Sequence, residues 1–404
     1  MLRKFAIIHS VALLAGMAPA TSALGTQVGA PASGCPAEPD QVEEALKDLY
    51  NLEFLPARQA LEAWLREHPD DLRALNYLSN AILDQELLKK GLFASEAYTN
   101  KGDVFRKGKT ALTPGFEKEF LASLEKAQKA AEDRLQRNPE DQDALYWAGM
   151  AHAARSEFHF ILERSYLAAL REGSEARKYH LKLYKLNPNY VDALLVIGIG
   201  DYVAGSLPWY VKVLASLAGL RGSRPRGLAE LKRVSEEGHR ARVDAKIILV
   251  TLYRRDKMYP EALALLDELV RSYPGNFLGP MEMAAVYEDQ NNWRAAAKVY
   301  GGLVQKLRQH ARGYEMMPAA KILYRAGRVH ERLGDMEEAL QLYDAAGRFP
   351  GPNLDTYRAS LAAAELDRQL NRPAEALRNY RRVAGAVPNT EEGKVALRAL
   401  QSYH

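Results

Sequence analysis

A single cysteine, Cys35, stands among 404 residues, so no internal disulfide can staple the chain. Histidine is scarce, at nine residues, and never falls into His-Glu-x-x-His, the spacing that puts two zinc ligands on one helical face. His159 and Glu163 lie one helical turn apart, but no third ligand follows at a recognisable spacing. Gly-x-Ser-x-Gly is missing, as is a Walker-type phosphate loop. These absences argue against catalysis, a metal or a cofactor. Neither sign of charge prevails: 55 Lys+Arg against 51 Asp+Glu leave +4. Without Arg3 and Lys4 the balance is +2, far from the concentrated basic face of a nucleic-acid binder. No segment reaches a bilayer-spanning apolar length. Runs of β-branched residues are few, and helix-period segments alternate with short polar turns, so the expected class is all-α.

What the chain does contain is a repeated grammar, clearest from Asp244 to Pro274. Leu249 and Tyr253 fall on one face of a first helix; Ala262, Leu266 and Leu269 fall on one face of a second. Pro274 stops that second helix, having no amide hydrogen and a ring that clashes with the preceding turn. Ala262 is small where two helices approach closely. Ala296 follows thirty-four residues later, with Tyr300 four further on; Ala339 with Tyr343 and Ala376 with Tyr380 repeat the pair. Pro388, Asn187-Pro188, Asn138-Pro139 and His68-Pro69 close other repeats. A period of about 34 residues resembles that of tetratricopeptide repeats. It implies a superhelical solenoid of antiparallel helix pairs, with irregular inserts near 89–114 and 203–227.

The expected division is a signal peptide over 1–23, a linker over 24–39, helical repeats over 40–202, an apolar insert with a basic flank over 203–227, and further repeats over 228–404. Arg3 and Lys4 form the charged start of the leader and Phe5 to Leu14 its apolar middle. Ala18-Pro19-Ala20 or Thr21-Ser22-Ala23 forms its small-residue end. The expectation is export, to the periplasm or outside if the source is bacterial. Lipidation of Cys35, after Ala32-Ser33-Gly34, is the minor alternative.

A second resemblance rests on Gly198-Ile199-Gly200, Gly205-Ser206-Leu207-Pro208, Val213-Leu214, Gly219, Gly222, Arg224, Gly227-Leu228 and Leu231, with Tyr273-Pro274-Gly275-Asn276 beyond. This run is similar to the signature of the eukaryotic tetratricopeptide-repeat protein 39 family, which includes a yeast inclusion-body-clearance protein. That family usually has Phe-Ser where Leu220-Arg221 stands here. The resemblance implies a helical repeat adaptor and offers no catalytic residues.

In such solenoids the first helix of each repeat lines a concave face that takes peptides or partner helices. Asn76 and Asn80, then Tyr146 and Met150, sit one turn apart on first helices and read as outward. Lys321, Arg325, Arg328 and Arg332 form a basic stripe with Tyr324 beside it, and arginine forks suit carboxylates. The segment from Leu207 to Leu220 is the most apolar after the leader. Trp209, Leu214 and Leu217 serve either a buried helix or a membrane contact. The leading expectation is an exported scaffold holding a protein or peptide partner. The alternative is a peripheral membrane or envelope-assembly protein anchored by 207–220 or by Cys35.

Overall fold

The computed structural model of the chain describes residues 40–92, 111–206, 222–349 and 353–402. No strand occurs among them. Within the described residues seventeen α-helices follow one another, paired as antiparallel hairpins with a closing helix. The leader, Cys35 and the residues of 207–220 lie outside the described residues. The chain forms two compact units, one ending at Pro274 and one beginning at Gly275.

The N-terminal unit holds five hairpins: α1 (Gln41–Tyr50) with α2 (Phe54–Glu67), α3 (Leu72–Lys89) with α4 (Phe116–Arg137), α5 (Gln142–Phe158) with α6 (Tyr166–Leu186), α7 (Leu194–Ser206) with α8 (Arg224–Glu237), and α9 (Arg242–Arg255) with α10 (Tyr259–Ser272). Their ends are set locally. Asp71 follows the His68-Pro69 stop, and its carboxylate accepts from the N–H groups of Arg73 at 2.9 Å and Ala74 at 3.1 Å. Asp141 does the same for Ala144 after Asn138-Pro139. Such caps stabilise a helix by about 1 kcal/mol, because they satisfy donors the helix itself leaves open. The long third hairpin, which the 49-residue spacing between Pro139 and Pro188 anticipates, has a five-residue π-helix, His159–Glu163, between α5 and α6.

Burial divides these helices into an inner and an outer set. Thirteen of the 18 residues of α3 and 13 of the 17 of α5 are buried, against 6 of 22 in α4 and 4 of 21 in α6. A helix buried all round has neighbours on every side. For α3 and α5 those neighbours include the first helices of distant hairpins. The Tyr50 hydroxyl on α1 donates to Asp244 Oδ1 on α9 at 2.9 Å, across 194 residues of sequence. The Tyr50 and Tyr273 rings lie 5.0 Å apart. Arg240, just before α9, donates to Asp143 on α5 at 2.6 Å and stacks over Tyr146 and Trp147. The inner side of this unit is thus filled by its own side chains.

Most of the expected insert, 203–227, lies outside the described residues; α7 and α8, on either side of 207–221, pack on each other. Gly198, Gly205, Gly222 and Gly227, singled out in the sequence, lie at their contact. A Cβ on Gly227 would lie 2.5 Å from the Gly198 carbonyl oxygen and 2.5 Å from the Tyr202 nitrogen.

The C-terminal unit holds α11 (Leu278–Asp289) with α12 (Trp293–Arg308), α13 (Ala319–Leu333) with α14 (Met336–Gly347), α15 (Leu354–Gln369) with α16 (Pro373–Ala386), and a closing α17 (Glu391–Gln401). Ala296, Ala339 and Ala376 are fully buried, as are Tyr300, Tyr343 and Tyr380 to within 1%. Two of these tyrosines carry a bond that recurs at the same spacing. Tyr300 donates to Glu288 and Tyr343 to Glu331, each at 2.6 Å and each twelve residues back. A Cβ at Gly327 would meet the Tyr343 ring at 2.6 Å, so only glycine lets that ring lie against α13.

Candidate partner-binding groove

The four N-terminal candidates do not reach a surface. Asn76 and Asn80 are 2% and 3% exposed, Tyr146 is fully buried and Met150 is 1% exposed. The Asn76 amide is turned back on Leu72 O at 2.8 Å. Their spacing does put them on the inner side of first helices. Closure of the hairpins through Tyr50 and Asp244 then covers them.

In the C-terminal unit the stripe on α13 divides into separate roles. Arg325 is a structural residue: its guanidinium pairs with Glu288 of α11 at 2.9 Å, and its side chain is only 17% exposed. Burial, with the neighbouring Arg328 charge, pulls its pKa down to about 10, so it stays charged at neutral pH. Lys321 and Tyr324 are half-buried. Arg332 is exposed, with its guanidinium 5.7 Å over the Trp293 ring. Arg328 is exposed and has no ion-pair partner among the described residues. It is therefore the stripe residue best placed to meet a carboxylate from outside.

Beside Tyr324 the first helices leave a hollow of about 390 Å³, lined by Arg358, Leu361, Ala362 and Glu365 of α15 and by Glu391, Glu392 and Val395 of α17. The spacing of 358, 361, 362 and 365 is one helical face. Arg358 is held by Asp355 at 3.2 Å and Glu392 at 3.0 Å, which fixes its aliphatic stem along the floor. Tyr324, Leu361, Ala362 and Val395 supply apolar surface, with basic groups on α13 and acidic groups on α15 and α17. Sequence reading missed the contribution of α15 and α17. Its signal was available, as the outward register of the last first-helix and of the closing helix.

A second hollow, of about 300 Å³, opens in the N-terminal unit between Glu43, Asp71, Arg73, Tyr77, Asp143, Trp147 and Arg240. Its cations are already matched: Arg73 by Asp40 and Asp71, Arg240 by Asp143. His159 Nδ1 bonds Glu163 within the π-helix, so that pair satisfies itself. Among the described residues no group of three or more His, Cys, Asp or Glu is placed to hold a metal. Trp209, Leu214 and Leu217 lie outside the described residues.

Buried deeper in the N-terminal unit are three carboxyls from three first helices: Asp84 of α3, Glu157 of α5 and Asp244 of α9. All three are pushed well above the usual carboxylate range, chiefly by burial. Asp84 and Asp244 add repulsion at Glu157. At Asp244 the Tyr50 hydroxyl opposes the shift, while Asp84 and Asp192 add to it. Glu157 Oε2 and Asp244 Oδ2 have no hydrogen-bond partner. Burial thus favours the protonated form of all three, since an ionised carboxylate there would be uncompensated.

Residues 281–351 match the family model described as Tetratricopeptide repeat. No curated protein matches the chain in sequence. Solved structures similar to it include a human IFIT1 dimer with PPP-AAAA (12% identity, 91% of this chain and 82% of that one, TM-score 0.40). Yeast Tom70 is another (14% identity, 90% and 80%, TM-score 0.38). A tetratricopeptide repeat protein from Parabacteroides merdae ATCC 43184 is a third (13% identity, 79% and 95%, TM-score 0.31). At these scores none carries an inference about what this chain binds. The matched segment contains the Ala339–Tyr343 packing pair and the Glu331–Tyr343 bond, so residues 281–351 are a tetratricopeptide-repeat segment, set within a succession of helix hairpins.

Proposed function

We propose that this protein is a scaffold whose C-terminal unit holds a segment of a protein partner in the groove between α13, α15 and α17. The observation that carries this reading is Arg328: an exposed guanidinium without an ion pair among the described residues, one helical turn beyond Tyr324, which borders the hollow. A partner segment with an acidic side chain or terminus toward α13 and a basic one toward Glu365 and Glu391 matches the charges present. The rigid helices lose little ordering entropy on binding, which is how such a surface gains affinity without chemistry. Export of the scaffold belongs to the same proposal and rests on the first 23 residues.

Crosslinking capture from an envelope fraction tests the groove. Arg328→Glu and Leu361→Ser are expected to reduce capture at least tenfold, about 1.4 kcal/mol. Arg378→Glu, at a side chain 74% exposed on α16, leaves it unchanged. Equal capture by all three variants would defeat the proposal. Arg325 is unsuitable for charge reversal, because losing its pair with Glu288 would disturb the fold as well as the surface. Recovery of the chain in the cytosolic fraction with its first 23 residues attached would defeat the export reading.

A further inference from the structure

Nine large apolar side chains are exposed among the described residues, and five of them belong to one helix, α6: Tyr166, Leu167, Leu170, Leu181 and Leu186. Leu167 is 84% exposed and Leu170 54%. The remaining exposed residues of α6 are Arg171, Lys178, Lys182 and Lys185. Every exposed residue of this 21-residue helix is therefore apolar or basic. Its two acidic residues are paired: Glu172, 17% exposed, bonds His152 at 2.7 Å, and Glu175, whose side chain is 40% exposed, bonds Lys178 at 2.6 Å. At about 100° per residue, Leu170, Leu181 and Leu167 fall on one side of the exposed arc, and Lys178, Arg171 and Lys182 on the other.

We propose that the outer face of α6 binds an anionic lipid surface. Exposed apolar surface of this kind marks an interaction site. Leucine and tyrosine beside lysine and arginine, with the one accessible acid, Glu175, paired to Lys178, is the composition of a helix that lies in a headgroup layer. A lipid surface fits better than an acidic partner helix. The exposed residues run along the helix from Tyr166 to Leu186 on the outward side of the third hairpin, and their charge is of one sign, which complements an extended anionic surface. Basic side chains reach the headgroups while the leucines enter the acyl boundary, and the lysine stems can lie along the same boundary. The 207–220 segment is not needed for this contact.

Flotation of the whole chain with phosphatidylcholine vesicles, with and without a third phosphatidylglycerol, tests the proposal. The wild type floats with the anionic vesicles, and raising the salt to half molar releases most of it. Leu167→Ser with Leu170→Ser, and separately Arg171→Glu with Lys185→Glu, each lower vesicle partition at least tenfold. All four positions are exposed, so the melting temperatures of these variants stay close to wild type. Trp209→Ala with Leu214→Ser leaves α6 intact and retains flotation that depends on Leu167 and Leu170. Failure of the wild type to float overturns the proposal, as does flotation that survives both α6 double variants. Capture of an acidic protein by α6 without vesicle binding also overturns it.

Discussion

Replacing Glu157 by Gln, or Asp84 by Asn, is expected to stabilise the N-terminal unit at neutral pH and to flatten its response to pH. Both carboxyls are buried, and burial is the main cause of their raised pKa values. The unfolded chain releases these protons near pH 4, while the folded chain keeps them to much higher pH. Stability from a group of this kind is complete below the unfolded pKa and is lost as pH rises through the folded one. Stability of the unit should therefore fall from about pH 4 upward through this cluster. The other groups facing it are Tyr50 from α1, Tyr77 from α3, Asp192 from the turn before α7, and Tyr273 after α10. Ion-paired acids elsewhere act with the opposite sign. At Asp40, burial is outweighed by Arg73 and backbone N–H groups, so its pKa is lowered and its contribution is lost as pH falls. Comparing wild type with the amide variants cancels such terms. An amide keeps the shape and does not ionise, so each variant should gain, relative to wild type, about 1.4 kcal/mol for every pH unit between the unfolded and the raised folded pKa that the solution has passed. In a unit of this size each kcal/mol moves the melting temperature by about 2–4 °C. Variants that melt below wild type at pH 8, with the same pH slope, would show that these carboxyls ionise in the fold and are needed there as anions.

A large loss is expected at Gly227. An added Cβ would sit 2.5 Å from two backbone atoms, Gly198 O and Tyr202 N, and helix backbone cannot rotate aside as a side chain can. Gly227→Ala must push α7 and α8 apart, at about 1–3 kcal/mol, and Gly227→Val at more. Gly302 of α12 is the contrast: nothing lies within 4 Å of its Cβ position. There Gly302→Ala should gain about 0.5–1 kcal/mol, from reduced freedom of the unfolded chain within a helix. Chemical denaturation of the two alanine variants checks both signs. A Gly227→Ala chain as stable as wild type would mean that α7 and α8 are not in contact there.

The repeat architecture was legible because its determinants are local. An alanine, a tyrosine one turn later and a proline or capping aspartate at the helix end all act within one hairpin. The exposure of the first helices was not legible, because no local pattern controls it. Asn80 and Arg328 occupy comparable inward registers of their first helices. What separates them is whether hairpins distant in sequence close over that side. In the N-terminal unit they do, through Tyr50 and Asp244, 194 residues apart. Within the basic stripe the same limit applies. Arg325 and Arg328 are both arginines one turn apart, and only the placement of Glu288 on the preceding first helix makes one structural and leaves the other for a partner. The acid cluster left a partial trace. Asp84 follows Ala81-Ile82-Leu83 in an apolar stretch, but its company with Glu157 and Asp244 depends on three hairpins converging.

Thiol labelling tests most directly that the N-terminal unit is closed on its inner side and the C-terminal groove is open. In a Cys35→Ser background, Asn80→Cys and Met150→Cys are compared with Arg328→Cys, each reacting with a small maleimide under native conditions. The structure predicts that Arg328→Cys reacts at nearly the rate of the unfolded chain, whereas Asn80→Cys and Met150→Cys react at least a hundredfold more slowly, only as fast as the unit opens. Rapid labelling of Asn80→Cys and Met150→Cys in a chain whose circular dichroism and melting match wild type would contradict it, and would restore the inner face of the N-terminal unit as an open binding surface.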